Sequence, residues 1–335
     1  MSKELVHLNL YSELRSLKNP NLYLVLPGGC NARCPFCCFK PNKKSSVANY
    51  AEKLKDLLDS LPSNFKQITI LGGEPSTSPV LENVLSLLSG RRKDVASKVV
   101  FTTNASGLLL SKNNFRDNLY EYFNWSVDHV NISRHSSIDS TNWSIFGGRG
   151  KENEHIPDRW QLKDIISKFN KMGIDVTLNC VLHNCRSEII IMVKSKGTYV
   201  DRVYSELYTT AGILHYIAFA KEVGASAVCF KKMESDSLTP TSTEKLFKSY
   251  KVRSSGKCPT CRTKTQLISG IPVTWQAALE DKSSAPPKDL IFLPNGKLSF
   301  DWKNQWTGTF NDAEENKETS QGYEDSGSCS RLGHC

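Results

Sequence analysis

The sequence predicts an α/β fold: a parallel sheet arranged as an open, partial (βα)6 barrel of the TIM-like type, followed by a small accessory region that contains cysteines. Short apolar segments alternate with segments of helical periodicity between residues 21 and 232, and this alternation indicates βαβ units with right-handed crossovers. Six such units are too few to close an eight-stranded barrel. The composition, 39% hydrophobic and 23% charged, excludes a collagen-like or wholly disordered chain.

Each predicted strand is a short apolar run that stops at a loop signal. The first ends at Pro27-Gly28-Gly29, and the first helix carries its leucines on one stripe. The predicted strands are Asn21–Leu26, Gln67–Leu71, Lys98–Thr103, His129–Ser133, Ile174–Val181 and Ser226–Phe230. The predicted helices are Tyr50–Leu61, Pro79–Leu88, Asp158–Met172 and Tyr208–Val223. We divide the chain into an N-terminal extension (1–20), a core (21–232) and an accessory region (233–335).

Eleven cysteines are the unusual feature of the composition. Their number is odd, and the first residues, MSKELVHL, lack the apolar core of a signal peptide. We therefore expect reduced thiols in the cytoplasm, used as metal or cluster ligands, rather than a disulfide framework. No apolar run approaches the roughly 20 residues of a membrane span, so we expect no membrane segment.

Three of the cysteines follow the first predicted strand directly. Cys30, Cys34 and Cys37 are spaced x3 and x2 on one loop. Three thiolates suit an iron–sulfur cluster and leave one iron of a four-iron cluster open to another ligand. A structural zinc site, which takes four ligands, and unrelated buried thiols are the alternatives. The second predicted strand ends in Gly72-Gly73-Glu74-Pro75, where glycines permit close approach and a carboxylate can accept from a cationic amine.

Together, the CxxxCxΦC motif, whose aromatic residue is Phe36, and the GGEP motif resemble the radical S-adenosylmethionine (radical SAM) superfamily. The resemblance implies that the three cysteines hold a [4Fe–4S] cluster and that the SAM amino and carboxylate groups bind the fourth iron. It implies that Phe36 borders the adenine, and that Gly72, Gly73 and Glu74 contact the SAM amino group. Residues at the ends of later strands are expected at the SAM ribose and carboxylate: Thr102, Thr103, Asn104, Ser133, Arg134 and Asn179.

The chemistry that the resemblance implies is reductive cleavage of SAM to a 5′-deoxyadenosyl radical, which abstracts a hydrogen atom from a substrate carbon. An external one-electron donor of the flavodoxin or ferredoxin kind is then required. Cys180 and Cys185 flank the end of the fifth predicted strand. One hypothesis makes either of them a thiol hydrogen-atom donor, and the alternative is that both are packing thiols.

The accessory region contains a possible second metal site. Cys258 and Cys261 form a CxxC pair, Cys329 and Cys335 lie near the C-terminus, and Leu290–Trp302 reads as a hairpin with an Asn295-Gly296 turn. This region partly resembles the twitch or SPASM regions of radical SAM enzymes, without the full SPASM spacing. An auxiliary iron–sulfur cluster, structural Zn²⁺ and no metal remain open.

The accessory region and a basic segment favour a peptide or protein substrate. Residues 245–264 hold seven lysines and arginines and no acid. The alternatives are modification of a nucleoside or tRNA, which this segment also suits, and modification of a small metabolite. A non-catalytic, metal-stapled nucleic-acid-binding module is a reading from another class, but it leaves the two motifs at successive strand ends unexplained.

Overall fold

The computed structural model describes residues 20–37, 49–60, 65–111, 114–147, 156–182, 188–195, 198–205, 210–232, 264–276 and 289–299. Within these parts of the chain, none of the helices combines the length and the apolar character that crossing a membrane requires.

Ten strands form one main sheet. Its strands are β1 (Asn21–Leu26), β2 (Gln67–Gly72), β3 (Val99–Thr103), β6 (His129–Ser133), β7 (Asp175–Leu182), β10 (Ala227–Lys232), β11 (Lys264–Ile268), β12 (Ile271–Gln276), β13 (Asp289–Phe292) and β14 (Leu298–Ser299). Their order is β11-β12-β10-β7-β6-β3-β2-β1-β13-β14. The eight strands from β12 to β13 pair in parallel, and β11 and β14 add to the two ends in antiparallel. The sheet is therefore open, as the sequence predicts.

Two hairpins stand apart from the main sheet. They are β4 (Leu109–Ser111) with β5 (Asn114–Phe115), and β8 (Glu188–Ser195) with β9 (Thr198–Ser205). The second occupies the segment between the fifth and sixth predicted strands, where the connection is longer than a βα loop needs.

The described helices connect strands of the main sheet. They are α1 (Tyr50–Ser60), α2 (Leu81–Ser89), α3 (Arg92–Val95), α4 (Asp117–Ser126), α5 (Asp139–Ile145), α6 (Arg159–Lys171) and α7 (Thr210–Glu222). Asp158 begins α6 with a capping box. The Asp158 side chain accepts from the Gln161 backbone amide, and the Gln161 side chain accepts from the Asp158 backbone amide. One-turn 3₁₀ helices lie at Pro75–Thr77 and Ser106–Leu108.

The two faces of the sheet differ in chemistry. On one face, side chains such as Leu24, Phe101 and Leu178 join the helices in one large apolar core. We call this the outer face. On the opposite, inner face, a small separate apolar cluster lies on β1, β13 and β2: Tyr23, Val25, Ile291, Leu293 and Leu71. Because side chains alternate along a strand, the register places the remaining inner-face positions in rows across β3 to β12.

The strands that the sequence identifies are confirmed within one or two residues as β1, β2, β3, β6, β7 and β10. The hairpin is confirmed as β13 and β14, with Gly296 donating its amide to Leu293 O at φ +79°. Pairing of β13 with β1, and of β12 with β10, was not foreseen. Pro272 and the short length of β13 weaken the strand signals there. The boundary at residue 232 stays a prediction, although strands from both sides of it share the sheet.

Candidate active site

The cysteine loop, residues 27–37, leaves the C-terminal end of β1. Gly28 has φ +128°, a conformation that favours glycine, and Ser78 Oγ donates to Pro27 O over 2.6 Å. A turn brings the Cys37 amide to Cys34 O at 3.0 Å, and the Ala32 amide donates to Cys30 Sγ over 3.4 Å. The loop therefore has a defined path that gathers its three thiols.

The three thiols lie close enough for their charges to interact. Burial, together with a smaller contribution from the charge of Cys37, raises the pKa of Cys30 and of Cys34 to about 12. Thiolates in this setting need a cation. In the described residues no group of three or more His, Cys, Asp or Glu side chains is arranged around one metal ion. A four-iron cluster takes each thiolate on a different iron, so this loop fits a cluster with three cysteine ligands.

The end of β2 packs directly against the cysteine loop. The Glu74 amide donates to Gly29 O over 3.1 Å. A Cβ atom on Gly73 would lie 2.5 Å from Gly29 O and 3.2 Å from Cys30 Cβ. Only glycine permits this approach, which explains in physical terms why the glycine pair stands beside the cysteine motif.

The Glu74 carboxylate accepts hydrogen bonds from other residues of the protein. It is 3% exposed, and burial raises its pKa while its hydrogen bonds lower it. Its Oε1 accepts from the Ser76 amide (2.9 Å), Ser76 Oγ (2.5 Å) and Thr103 Oγ1, and its Oε2 accepts from the Asn104 amide (2.6 Å). The sequence analysis expected this carboxylate to receive the SAM amine. The contact of the GGE segment with SAM stays a prediction, but most of the accepting capacity of Glu74 is occupied.

The residues that follow β3 lie beside the same junction. Asn104 Nδ2 donates to Asn31 Oδ1 over 3.0 Å, and Asn104 Oδ1 accepts from the Ser106 amide over 2.9 Å. Thr103 Oγ1, besides donating to Glu74, accepts from the Ala105 amide. Thr102 points to the other face, where its Oγ1 accepts from Asn131 Nδ2 over 3.4 Å.

Arg134 is buried and its guanidinium is bonded within the protein, while its expected contact with SAM stays a prediction. It is 2% exposed, its guanidinium donates to the backbone oxygens of Ser136 and Pro157, and it pairs with Asp139 at 2.5 Å. It also lies over the Phe219 ring on α7. The sequence reading could not separate this use from ligand binding, because both place an arginine after a strand.

Ser133 and Asn179 pair in register on the inner face of β6 and β7. Ser133 is half-buried, whereas Asn179 is 6% exposed, and its side chain makes no hydrogen bond to the residues that the structure describes. The amide is therefore available to hydrogen-bond a ligand on the inner face, since it is not among the fully buried polar groups without a partner.

Phe36 contacts His135 edge-on, with ring centroids 4.8 Å apart, and His135 contacts Phe146 in turn. His135 Nδ1 accepts from the Val181 amide over 3.1 Å, which assigns the ring proton of the neutral form to Nε2. Phe146 O accepts from the Arg33 amide over 2.7 Å. The aromatic residue of the cysteine motif is thereby held against the segment after β6, a role for His135 that the sequence analysis did not assign.

Cys180 faces away from the inner face. It is buried in the outer-face core, where its Sγ approaches His135 O at 3.8 Å. Its assignment as a hydrogen-atom donor is therefore not supported, because Asn179 and Cys180 are successive strand residues and point to opposite faces. Five other predicted site cysteines lie outside the described residues: Cys185, Cys258, Cys261, Cys329 and Cys335.

The inner face is polar and almost uncharged away from its apolar cluster. One row runs through Ser133, Asn179, Cys229 and Thr274. Lys231, next to Gln276, is the one lysine or arginine that the register places on this face among the described strands of the sheet. Cys229, which the sequence analysis did not single out, is an inner-face residue that approaches Gln276 Oε1 at 4.0 Å, and strand alternation along β10 would have identified it.

Comparison with known proteins relates the domain that contains this site to a protein family. The model of the radical SAM superfamily matches residues 24–188. The chain is similar in structure to SuiB of Streptococcus suis, with a TM-score of 0.53 and 13% identity over 91% of this chain and 65% of that chain. It is also similar to the radical SAM methyltransferase TsrM from Kitasatospora setae, with a TM-score of 0.41 and 12% identity over 66% of this chain and 37% of that chain.

No curated protein matches the chain by sequence. The chain spans less than two thirds of the length of SuiB and of TsrM. At these identities the likeness to SuiB concerns the fold alone, and it agrees with the open parallel sheet described above. The family match covers the cysteine loop, the GGEP turn and the strands from β1 to β7. Residues 24–188 therefore form a radical SAM domain, a domain of SAM-dependent enzymes whose cofactors are a [4Fe–4S] cluster and SAM.

Proposed function

We propose that this chain is a radical SAM enzyme that abstracts a hydrogen atom from a carbon of a peptide or protein substrate. The observation that carries the proposal is the junction between the cysteine loop and the end of β2, where Gly73 leaves no space for a Cβ against Gly29 and Cys30. This junction places three thiols at the C-terminal end of a parallel sheet, the position at which barrels of this kind carry their chemistry.

The proposed residue roles follow from the contacts above. Cys30, Cys34 and Cys37 would hold the cluster, and Phe36, backed by His135, would border the adenine. When bound, the cluster and SAM would supply a carbon-centred radical for hydrogen abstraction, and the protein would position the substrate carbon and exclude water. Asn179, with its unpartnered amide, would contact SAM from β7.

The chemistry of the inner face favours an uncharged, hydrogen-bonding substrate group. Threonine, asparagine, glutamine and cysteine side chains alternate across β6 to β12, with Lys231 as the one cation that the register places there among the described strands. Such a surface suits the amide groups of a peptide. A polyanionic substrate such as tRNA would require several cations to neutralise its phosphates.

A nucleoside or tRNA substrate is the second candidate, favoured by the basic segment at residues 245–264. Most of that segment lies outside the described residues. Copurifying RNA, or product formation that falls steeply with salt, would favour this candidate over a peptide. We also propose a flavodoxin- or ferredoxin-like electron donor and a cytoplasmic location, because cluster thiolates require reducing conditions.

The test is anaerobic reconstitution with iron and sulfide, followed by dithionite and SAM. We expect 5′-deoxyadenosine from the wild-type chain and none above background from Cys34→Ala. If the wild-type protein carries a spectroscopically verified cluster and still yields no more 5′-deoxyadenosine than Cys34→Ala, the proposed reaction is wrong.

A further inference from the structure

A chain of buried hydrogen bonds leads from the GGEP turn to the cysteine loop. Ser76 and Thr103 donate to the Glu74 carboxylate, which accepts in turn from the Asn104 amide at 2.6 Å. The Asn104 side chain then donates to Asn31 Oδ1 at 3.0 Å. Asn31 stands between the first two cysteines of the motif, so this chain reaches the segment whose shape decides where the thiols lie.

The links at Glu74 and Asn104 are fixed by burial and by a second bond, and the bond from Asn104 to Asn31 is partly buried. Glu74 is 3% exposed and Asn104 is 5% exposed. The orientation of the Asn104 amide is set because its Oδ1 already accepts from the Ser106 amide, which turns Nδ2 toward Asn31. Buried hydrogen bonds that are fully paired in this way rigidify the residues they join.

We infer that Asn104 and Glu74 are positioning residues that hold the cysteine loop in its ligand-binding shape before a cluster is present. Asn104 acts through Asn31, and Glu74 acts through Asn104. This inference rests on the proposed function only in taking the three cysteines as cluster ligands, and it assigns to Asn104 a task other than the SAM contact expected from the sequence.

The test uses the full-length, metal-free, reduced chain, so its outcome does not depend on SAM cleavage. In Asn104→Ala and in Asn31→Ala, we expect hydrogen exchange of the loop amides in residues 28–37 to rise about fivefold, the effect of losing one ordinary hydrogen bond. Alkylation of Cys30 and Cys34 by iodoacetamide, followed by mass spectrometry, should accelerate similarly. The double variant should match either single variant, because both remove the same bond.

Asn170→Ala is the matched control. Asn170, on α6, also donates one hydrogen bond through Nδ2, in its case to a backbone oxygen, Gly224 O, over 2.9 Å. We expect this variant to leave exchange of residues 28–37 unchanged. After reconstitution, Asn104→Ala and Asn31→Ala should release iron to a chelator faster than Asn170→Ala, a difference that loss of general stability would not produce.

Two outcomes would overturn the inference. One is unchanged loop exchange and alkylation in both Asn31→Ala and Asn104→Ala. The other is weaker SAM binding by Asn104→Ala with unchanged exchange in the metal-free chain, which would make Asn104 a SAM ligand. Failure of SAM cleavage in the wild-type protein would contradict the proposed function and leave the loop measurements standing.

Discussion

Two buried asparagines of this domain are expected to differ in how strongly the same substitution lowers the free energy of unfolding. Asn179, 6% exposed on β7, has a side chain with no hydrogen bond to the residues that the structure describes. Asn142, 1% exposed on α5, accepts from the His135 amide at 2.8 Å through Oδ1. Leucine has the same branching and the same number of side-chain heavy atoms as asparagine, so Asn→Leu keeps the shape of the side chain while it removes the hydrogen-bonding groups at both positions.

The magnitudes follow from whether each substitution leaves a buried group unpaired. Asn179→Leu breaks no hydrogen bond within the described residues and removes no fully buried unsatisfied group, so the free energy of unfolding of the metal-free chain should change by less than about 0.5 kcal/mol. Asn142→Leu leaves the buried His135 amide without an acceptor, so the same free energy should fall by about 2 kcal/mol. The measurement is urea unfolding at pH 7 under anaerobic, reducing conditions, with equal denaturant dependence as the check on comparability.

The second part of this prediction concerns the binding of SAM. If the Asn179 amide is kept for a ligand, Asn179→Leu should bind SAM about tenfold more weakly in the reconstituted protein, measured by equilibrium dialysis. Asn142→Leu, which removes the acceptor of the His135 amide, is the comparison variant in the same SAM-binding measurement. The reasoning is refuted if Asn179→Leu destabilises the metal-free chain as much as Asn142→Leu does.

Three further expectations can be tested on the same protein. Gly73→Ala should lower cluster iron after reconstitution because its Cβ meets Gly29 O at 2.5 Å, whereas Gly29→Ala, with open space around its Cβ, should load normally; equal loading would contradict the close approach. Cys180→Ala should cost about 1 kcal/mol of stability and leave the 5′-deoxyadenosine yield unchanged, since the thiol faces the helices. Burial and nearby Lys98 lower the pKa of His129 from 6.5 to about 4. Protonation of the unfolded chain should therefore remove about 2 kcal/mol of stability between pH 7 and 4.5, a loss that His129→Gln should not show.

Six strands of the domain could be predicted from sequence because each is a short, buried apolar run next to a segment with helical periodicity. β12, which was not predicted, contains Pro272 and is not a continuous apolar run. β13 was predicted as part of a hairpin, but its four residues do not indicate that it joins the main sheet. Their place in the sheet is decided by pairing with β10 and β1, which are distant in sequence. Long-range pairing of this kind leaves little trace in local composition.

The candidate site likewise contains residues that the sequence could locate and a residue whose role it could not assign. The cysteine and GGEP motifs could be located because their chemistry depends on spacing within one loop or turn. The task of Arg134 depends on what surrounds it, and only the structure places it among the carbonyl groups of residues 136 and 157 and beside α7. The sequence alone shows an arginine after a strand, and this pattern fits both a structural role and a contact with SAM.

Strand geometry distinguishes two residues that the sequence analysis placed together. Asn179 and Cys180 were both placed at the site, although successive residues of a strand point to opposite faces, so at most one of them can face the inner side. The register settles the choice: Asn179 stands in a row with Ser133 and Cys229, whereas Cys180 packs with the helices. If a thiol from the described strands meets the substrate at all, it is therefore Cys229. Cys229→Ala is then the variant that should alter product formation, with Cys180→Ala as its matched control; the reverse result would show that the register of β7 and β10 is wrong.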